Sequence, residues 1–254
     1  MQGLSPAILI MLGLFGLAGG IGITAIGPGG VLPTVGLVAL TALTPAQVAG
    51  TAIVTHVATG ALGTAAYLRS GQLRRPETAR TAQVLAGTAL IGTPVGIMIN
   101  SFLSSRWFGV VLGALVAAVA VLVLLRERRS RSVPSHQPSL QTIAGIGLLV
   151  AIAAGVIGIG GPMLTVPLLV AVGTEMLQAL AAAQVQSVII ATVGTIGYLL
   201  RGSIDWTLAA VVGVPELAGV LIGWRIARAL PTRVLRYTLV VAMFAIAPYL
   251  MLSG

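Results

Sequence analysis

Residues 26–71 read IGPGGVLPTVGLVALTALTPAQVAGTAIVTHVATGALGTAAYLRSG, and residues 157–202 read IGIGGPMLTVPLLVAVGTEMLQALAAAQVQSVIIATVGTIGYLLRG. Laid over one another at an offset of 131 and with no gap, 16 of the 46 positions are identical. The matches are ordered rather than scattered. Gly27, Gly29, Gly30, Thr34 and Val35 fall on Gly158, Gly160, Gly161, Thr165 and Val166. Gln47 falls on Gln178, and Gly63, Thr64, Tyr67, Leu68 and Gly71 fall on Gly194, Thr195, Tyr198, Leu199 and Gly202. The period is half the chain and far too long for a solenoid, so one unit has been duplicated and fused. In a very apolar chain, a two-fold internal repeat marks a transporter scaffold.

Composition independently places the chain in a membrane. It is 57% hydrophobic and 7% charged, with mean hydropathy +1.06. Soluble domains carry about a quarter charged residues, and no such surface can be built here. There is no cysteine, hence no disulfide or thiol chemistry. All 14 basic residues are arginine, and nearly all lie at the ends of apolar runs. That placement fits orientation-setting loop charges and excludes a nucleic-acid-binding face. No positive charge precedes the first apolar run, so it lacks the start of a cleavable signal and is read as part of the mature protein.

Apolar runs cover residues 4–26, 30–43, 46–69, 79–100 and 106–125, then 140–157, 161–174, 176–200, 206–228 and 233–253. A spanning helix needs about 20 apolar residues. The runs 30–43 and 161–174 are too short for a comfortable crossing, and each follows a Gly-rich break. Residues 126–141 form the one long hydrophilic stretch. The division is therefore a first transmembrane repeat (1–125), a linker (126–139) and a second repeat (140–254).

Arginine placement selects the topology. If residues 4–43 formed one bent span, the halves would be parallel, with nine arginines on one side and five on the other. If each Gly-rich break instead turns a hairpin, the second half is inverted. Twelve arginines then share one side, against Arg106 and Arg201 on the other. The positive-inside bias favours the inverted arrangement, with a cytoplasmic linker and both termini outside. The expected fold is an all-α polytopic membrane protein of two inverted repeats, each of about five helical segments with a Gly-rich hairpin break in its first pair.

Two breaks, Ile26-Gly27-Pro28-Gly29-Gly30 and Ile157-Gly158-Ile159-Gly160-Gly161-Pro162, carry the strongest local signal. Backbone that leaves helical geometry inside a bilayer exposes amides that cost several kcal/mol each unless something binds them. Glycine permits the turn and lets a ligand approach the backbone. Gly27, Gly29, Gly30, Gly158, Gly160 and Gly161 are thus candidate substrate-binding positions, with the positive end of the following helix aimed at the same place. Tight helix packing through small residues is the alternative reading. On the binding reading, valine at Gly29 or Gly160 blocks ligand access and leaves expression near normal.

With Thr165-Val166-Pro167-Leu168-Leu169 after the second break, and a helix ending in Tyr198-Leu199-Leu200-Arg201-Gly202-Ser203-Ile204-Asp205-Trp206, the chain resembles the TauE/SafE sulfite exporter family. That family is also called the toluene-sulfonate uptake permeases. The resemblance covers essentially the whole chain and is best in the second half. Gly36 stands where the family's Val-Pro would put proline, and Pro28 interrupts the first glycine run. The resemblance implies an inner-membrane carrier of sulfite, an organosulfur or sulfonate anion, or a small carboxylate.

The third segment of each half carries the polar side chains. Thr51, Thr55 and Thr59 are spaced by four and form one stripe, with His56 beside it. Gln184, Gln186 and Ser187 occupy the corresponding segment of the second half. Such donors, without fixed positive charge, would hold an oxyanion weakly enough to release it. For any single threonine the competing reading is a hydroxyl bonded to its own helix. His56 and Glu216 are the titratable groups deep within apolar runs, which makes both proton-coupling candidates; the alternatives are a neutral packing histidine and a protonated glutamate bonded to a neighbouring helix. Glu216→Gln is then expected to keep anion binding and lose the response to a pH gradient.

Enzyme signatures are missing: there is no His-Glu-x-x-His, no Gly-x-Ser-x-Gly, no P-loop and no lysine at all. Five scattered acidic residues do not form a metal cage. No metal and no cofactor are expected. The sequence reading is a secondary carrier of a small inorganic or organosulfur anion, with export favoured and alternating access between the repeats. It sits in the inner membrane in contact with lipid, and a homodimer is compatible with it. A non-transporting membrane scaffold is the alternative.

Overall fold

The computed structural model describes residues 4–25, 28–129, 138–229 and positions 241, 244, 247 and 248. Within them the apolar runs fold as helices, in the order α1 (Pro6–Ala25), a 3-10 turn (Pro28–Val31), α2 (Leu32–Leu40), α3 (Pro45–Arg69), a 3-10 turn (Gln72–Arg74), α4 (Pro76–Asn100), α5 (Ser105–Arg129), α6 (Leu140–Ile157), α7 (Pro162–Ala171), α8 (Met176–Leu200) and α9 (Trp206–Ala229). The described chain is all-helical. The last predicted run, 233–253, lies largely outside the described residues. Helix α5 continues through residues 126–129, which the sequence reading gave to the linker. Arginine and glutamate are good helix formers and extend the preceding apolar run.

Local chemistry explains the boundaries. Proline stands in the first turn of α2, α3, α4 and α7, where its missing N–H costs nothing. Thr44 and Gln47 form a reciprocal capping box at the start of α3. Ser139 caps α6 by accepting from the Thr142 N–H. The identical repeat positions Gly71 and Gly202 both have left-handed backbone, φ 77° and 61°. Their shared identity is a turn requirement.

Six described helices (α1, α3, α4, α6, α8 and α9) are long and apolar enough to cross a membrane. Helices α2 and α7 have nine and ten residues, about 14–15 Å, which is half of a ~30 Å hydrocarbon core. The α1–α2 pair is an antiparallel hairpin. Going away from the turn, Gly22 lies against Gly29, Gly19 against Pro33, and Phe15 against Gly36.

Lipid tails supply no hydrophobic drive between helices, so close approach of small residues does the packing. Helices α1 and α9 run parallel, with Gly16 against the Val212 carbonyl, Gly20 against the Glu216 carbonyl and Gly219 against Leu17. Helices α4 and α6 also run parallel, with Gly92 against Leu148 and Ala151, and Gly96 against Ile152 and Gly155. These two pairs exchange places under the internal repeat. Helices α3 and α8 correspond to each other in the repeat, and they cross antiparallel. Gly50 meets Tyr198, Ile53 meets Gly194, Gly60 meets Ser187 and Val188, and Gly63 meets Gln184. Their small facing residues form the buried centre, while Leu14, Ile91, Leu149, Leu200 and Val214 point outward.

Candidate functional site

The second break shows how a helix is stopped inside the fold. Helix α6 ends at Gly158, whose left-handed backbone (φ 78°) turns the chain, and the Gly158 and Ile159 N–H groups both bond the Ala154 carbonyl. The carbonyls beyond Ala154 are reached from other helices. Tyr198 of α8 donates its hydroxyl to the Gly155 carbonyl at 2.6 Å. Asn100 of α4 donates Nδ2 to the Val156 carbonyl at 2.7 Å, and Thr34 of α2 donates Oγ1 to the Gly158 carbonyl at 3.4 Å. An unpaired carbonyl away from water is expensive, and three imported donors relieve it.

The two breaks meet α3 and α8 around one small pocket. It is lined by Ile23, Gly30, His56, Thr59, Gly160, Pro162, Met163, Gln184 and Ser187, and its free volume is ≈ 10 Å³, about the room one water needs. Neither α7 nor α2 has a side-chain cap at its start, which leaves the amide-rich ends of both short helices beside this region. The imidazole of His56 lies between the breaks. A Cβ built at Gly30 would sit 3.5 Å from its Cε1, and one at Gly160 would sit 3.5 Å from its Cγ and 3.1 Å from the Ser187 hydroxyl. Both glycines thus put bare backbone within contact range of the ring, and only the Ser187 hydroxyl would be crowded by a side chain at Gly160.

Behind the pocket is a carboxylate. His56 Nδ1 lies 3.1 Å from Glu216 Oε1, with the two side chains 1% and 0% exposed. Among the described residues, His56 Nε2 and Glu216 Oε2 have no hydrogen-bond partner, and Oε1 has only this contact with the imidazole. Glu216 follows Pro215, which removes one backbone N–H from the interior of α9. Gly20 admits the Glu216 backbone against α1 and so brings the acid to this depth.

Of the residues selected from sequence, Gly30, His56, Gly160, Gln184 and Ser187 line the pocket, and Glu216 stands behind it. Gly161 lies beside Gln186 and Ser187, close to the pocket wall. The others lie elsewhere. Gly29 packs backbone to backbone on Gly22, and a Cβ on Gly158 would strike Ala49. Thr51 accepts a hydrogen bond from the Asp205 N–H at 3.0 Å and so anchors the start of α9. Thr55 donates to the Ala52 carbonyl of its own helix at 2.9 Å. Gln186 accepts from Thr165 and donates to the Gly147 carbonyl at 3.1 Å, tying α8 to α7 and α6. Gly27 lies outside the described residues.

Sequence reasoning missed Met163 and Ile23 as pocket walls, and Asn100, Tyr198 and Thr34 as donors to the broken helix. Asn100, a lone amide closing an apolar run, was a usable signal, since an unpartnered amide there would be costly. Thr34 and Tyr198 were visible as repeat identities, although their partners were not.

A multi-pass helical protein with paired broken helices meeting at a polar pocket has the build of a membrane transporter, and its family and relatives are membrane transporters rather than enzymes. The family model described as "Sulfite exporter TauE/SafE" matches residues 12–250, and the chain belongs to that family. It is 25% identical over 235 residues to the "Probable membrane transporter protein YdhB" of Bacillus subtilis (strain 168), covering 90% of this chain and 94% of that one. It is 26% identical over 148 residues to a "Probable membrane transporter protein" of Xylella fastidiosa (strain 9a5c), covering 55% of each chain. No solved structure matches it.

Proposed function

We propose that this transporter carries a small anion, sulfite or an organosulfur or sulfonate anion, with export as the favoured direction. One observation carries the reading. Both Gly-rich breaks and both middle helices converge on a pocket whose polar lining (His56, Thr59, Gln184, Ser187) offers donors and no permanent cation. Donors of this kind hold an oxyanion without trapping it, and the adjacent helix N-termini favour negative charge. Export of an anion from a cell that is negative inside is already favoured by about 2.3 kcal/mol per charge per 100 mV.

Alternating access between two inverted repeats is the mechanism we infer. It is supported by the antiparallel crossing of α3 and α8, which correspond in the repeat, and by the exchange of the α1–α9 and α4–α6 pairs. A free volume near that of one water suits an occluded conformation that must open to admit substrate. In this proposal the carrier sits in the inner membrane with the linker cytoplasmic and both termini outside. Purified protein in proteoliposomes, loaded with sulfite, methanesulfonate, acetate and chloride in turn, tests the reading by efflux and uptake. Saturable flux of a sulfur oxyanion is the expected result. Flux of none of these anions would sink it and favour a scaffold role.

A further inference from the structure

A carboxylate directly behind an anion pocket is an electrostatic contradiction unless something neutralises it. Resting on the anion-carrier reading above, we propose that the His56–Glu216 pair links binding to protonation, so that one proton enters the pair for each monoanion that enters the pocket.

The charges are countable because, among the described residues, the surroundings supply no others. Helix α1 has no titratable side chain, and neither do the second break and α7. On α3 the other titratable groups are Tyr67 and Arg69, at the far end of the helix. On α8 the tyrosine hydroxyl of Tyr198 is committed to the Gly155 carbonyl. On α9, Asp205 precedes the first turn and accepts from the Leu208 N–H. Arg225 lies nine residues beyond Glu216, about 13 Å along the axis. The two groups therefore settle their charge mainly with each other and with the pocket's occupant.

In the empty pocket one proton shared across the 3.1 Å gap between Nδ1 and Oε1 leaves the pair neutral, as imidazolium–carboxylate or imidazole–carboxylic acid. An entering anion adds one negative charge in a site with almost no water, where an uncompensated charge is costly. A second proton, taken from solution onto the Glu216 carboxylate, restores neutrality. The pair is then imidazolium and carboxylic acid. The Nε2–H of His56, bonded to ring carbons that face Gly30 and Gly160 and without a partner among the described residues, donates to the anion. Release of the anion releases that proton, so the carrier moves anion and proton together without net charge. The membrane potential that favours export of a bare anion then no longer sets the direction, which follows from the anion and proton gradients.

The repeat sharpens the assignment. Ser187 stands at the position of His56, and Leu85 at that of Glu216, so the duplicated scaffold carries this pair in one copy. The pairing also changes the expectation drawn from sequence for Glu216→Gln. His56 alone still passes from neutral to protonated when the anion binds, so proton uptake persists in that variant. His56→Gln leaves an acid that is already protonated in the empty site, and uptake is lost.

The test is calorimetric titration of the purified transporter with methanesulfonate, a permanent monoanion, in buffers of different ionisation enthalpy. Thermal stability of each variant is measured alongside. The expected result is about one proton taken up per anion bound in the wild type and in Glu216→Gln, and none in His56→Gln or in the double variant. Binding by the wild type without proton uptake would overturn the proposal and leave the anion carrier standing. Uptake that survives in the folded double variant would place the proton elsewhere and overturn it as well. Failure of every anion in the panel to bind or move would remove the carrier reading itself, and the proposal with it.

Discussion

Tyr198→Phe isolates the cost of a broken helix inside a membrane. The side chain is fully buried, and its hydroxyl donates to the Gly155 carbonyl at 2.6 Å. Phenylalanine keeps the ring and its packing, so no cavity opens, and the change is the loss of one donor. Two magnitudes compete. A buried carbonyl left unpaired costs about 1–3 kcal/mol, whereas interhelical hydrogen bonds in membranes average only about 0.6 kcal/mol because the freed group finds another partner. The surroundings decide between them. The Gly158 and Ile159 N–H groups are spent on the Ala154 carbonyl, and Asn100 Nδ2 is spent on Val156. The donors that serve the neighbouring carbonyls are thus spent, and the loss should be about 1–2 kcal/mol. Thr55→Val is the control, since its hydroxyl bonds a carbonyl of its own helix at 2.9 Å, and its cost should stay below about 0.5 kcal/mol. Reversible unfolding by sodium dodecyl sulfate in mixed micelles reads both. Equal stability of the two variants would refute the claim that the break depends on imported donors.

Three further outcomes are expected. Gly160→Ala places a methyl 3.1 Å from the Ser187 hydroxyl and beside the His56 ring, so proteoliposome flux should fall at least tenfold with the melting temperature nearly unchanged, whereas Gly29→Ala drives a methyl into the Gly22 backbone and should lower the melting temperature first. The reverse ordering would mean that Gly160 is a packing glycine. Cysteines introduced as Ser135→Cys and Ser253→Cys should react with an impermeant maleimide from opposite faces of the membrane, and labelling from one face would exclude the inverted arrangement. Asn100→Ala removes the donor to Val156 and a weaker bond to Pro45 at 3.4 Å, and should cost about 1–3 kcal/mol in the same unfolding assay.

The helices and their order were legible because apolar runs, proline starts and glycine stops are local signals. The hairpin was legible because a Gly-rich break stands before a segment too short to cross. Much of the site was not. Thr51, Thr55 and Gln186 looked like lining residues on a polar stripe, yet their hydroxyls and amide serve the backbone of α9, α3 and α6. Periodicity says which side chains share a helix face, and nothing in it says what that face meets. The meeting of His56 with Glu216 shows the same limit. They are 160 positions apart in sequence, and the contact exists because α3 of the first half packs against α9 of the second, with α1 admitting α9 through Gly16 and Gly20. Each residue was conspicuous alone, and their pairing is tertiary.

The tyrosine that holds the second break has a twin. Tyr67 occupies the same repeat position as Tyr198, and residue 24 corresponds to Gly155. In this structure Tyr198 is fully buried and bonded, while Tyr67 is only half-buried. If the two halves trade conformations, the latch changes hands. Tyr67 would swing in to hold the carbonyl of residue 24 while Tyr198 lets Gly155 go. One hydrogen bond would then be conserved across the transport cycle although neither tyrosine keeps it, and the carrier could change its open side without stranding either broken helix. Tyrosine fluorescence or a crosslink from position 67 would report which half is locked at a given moment.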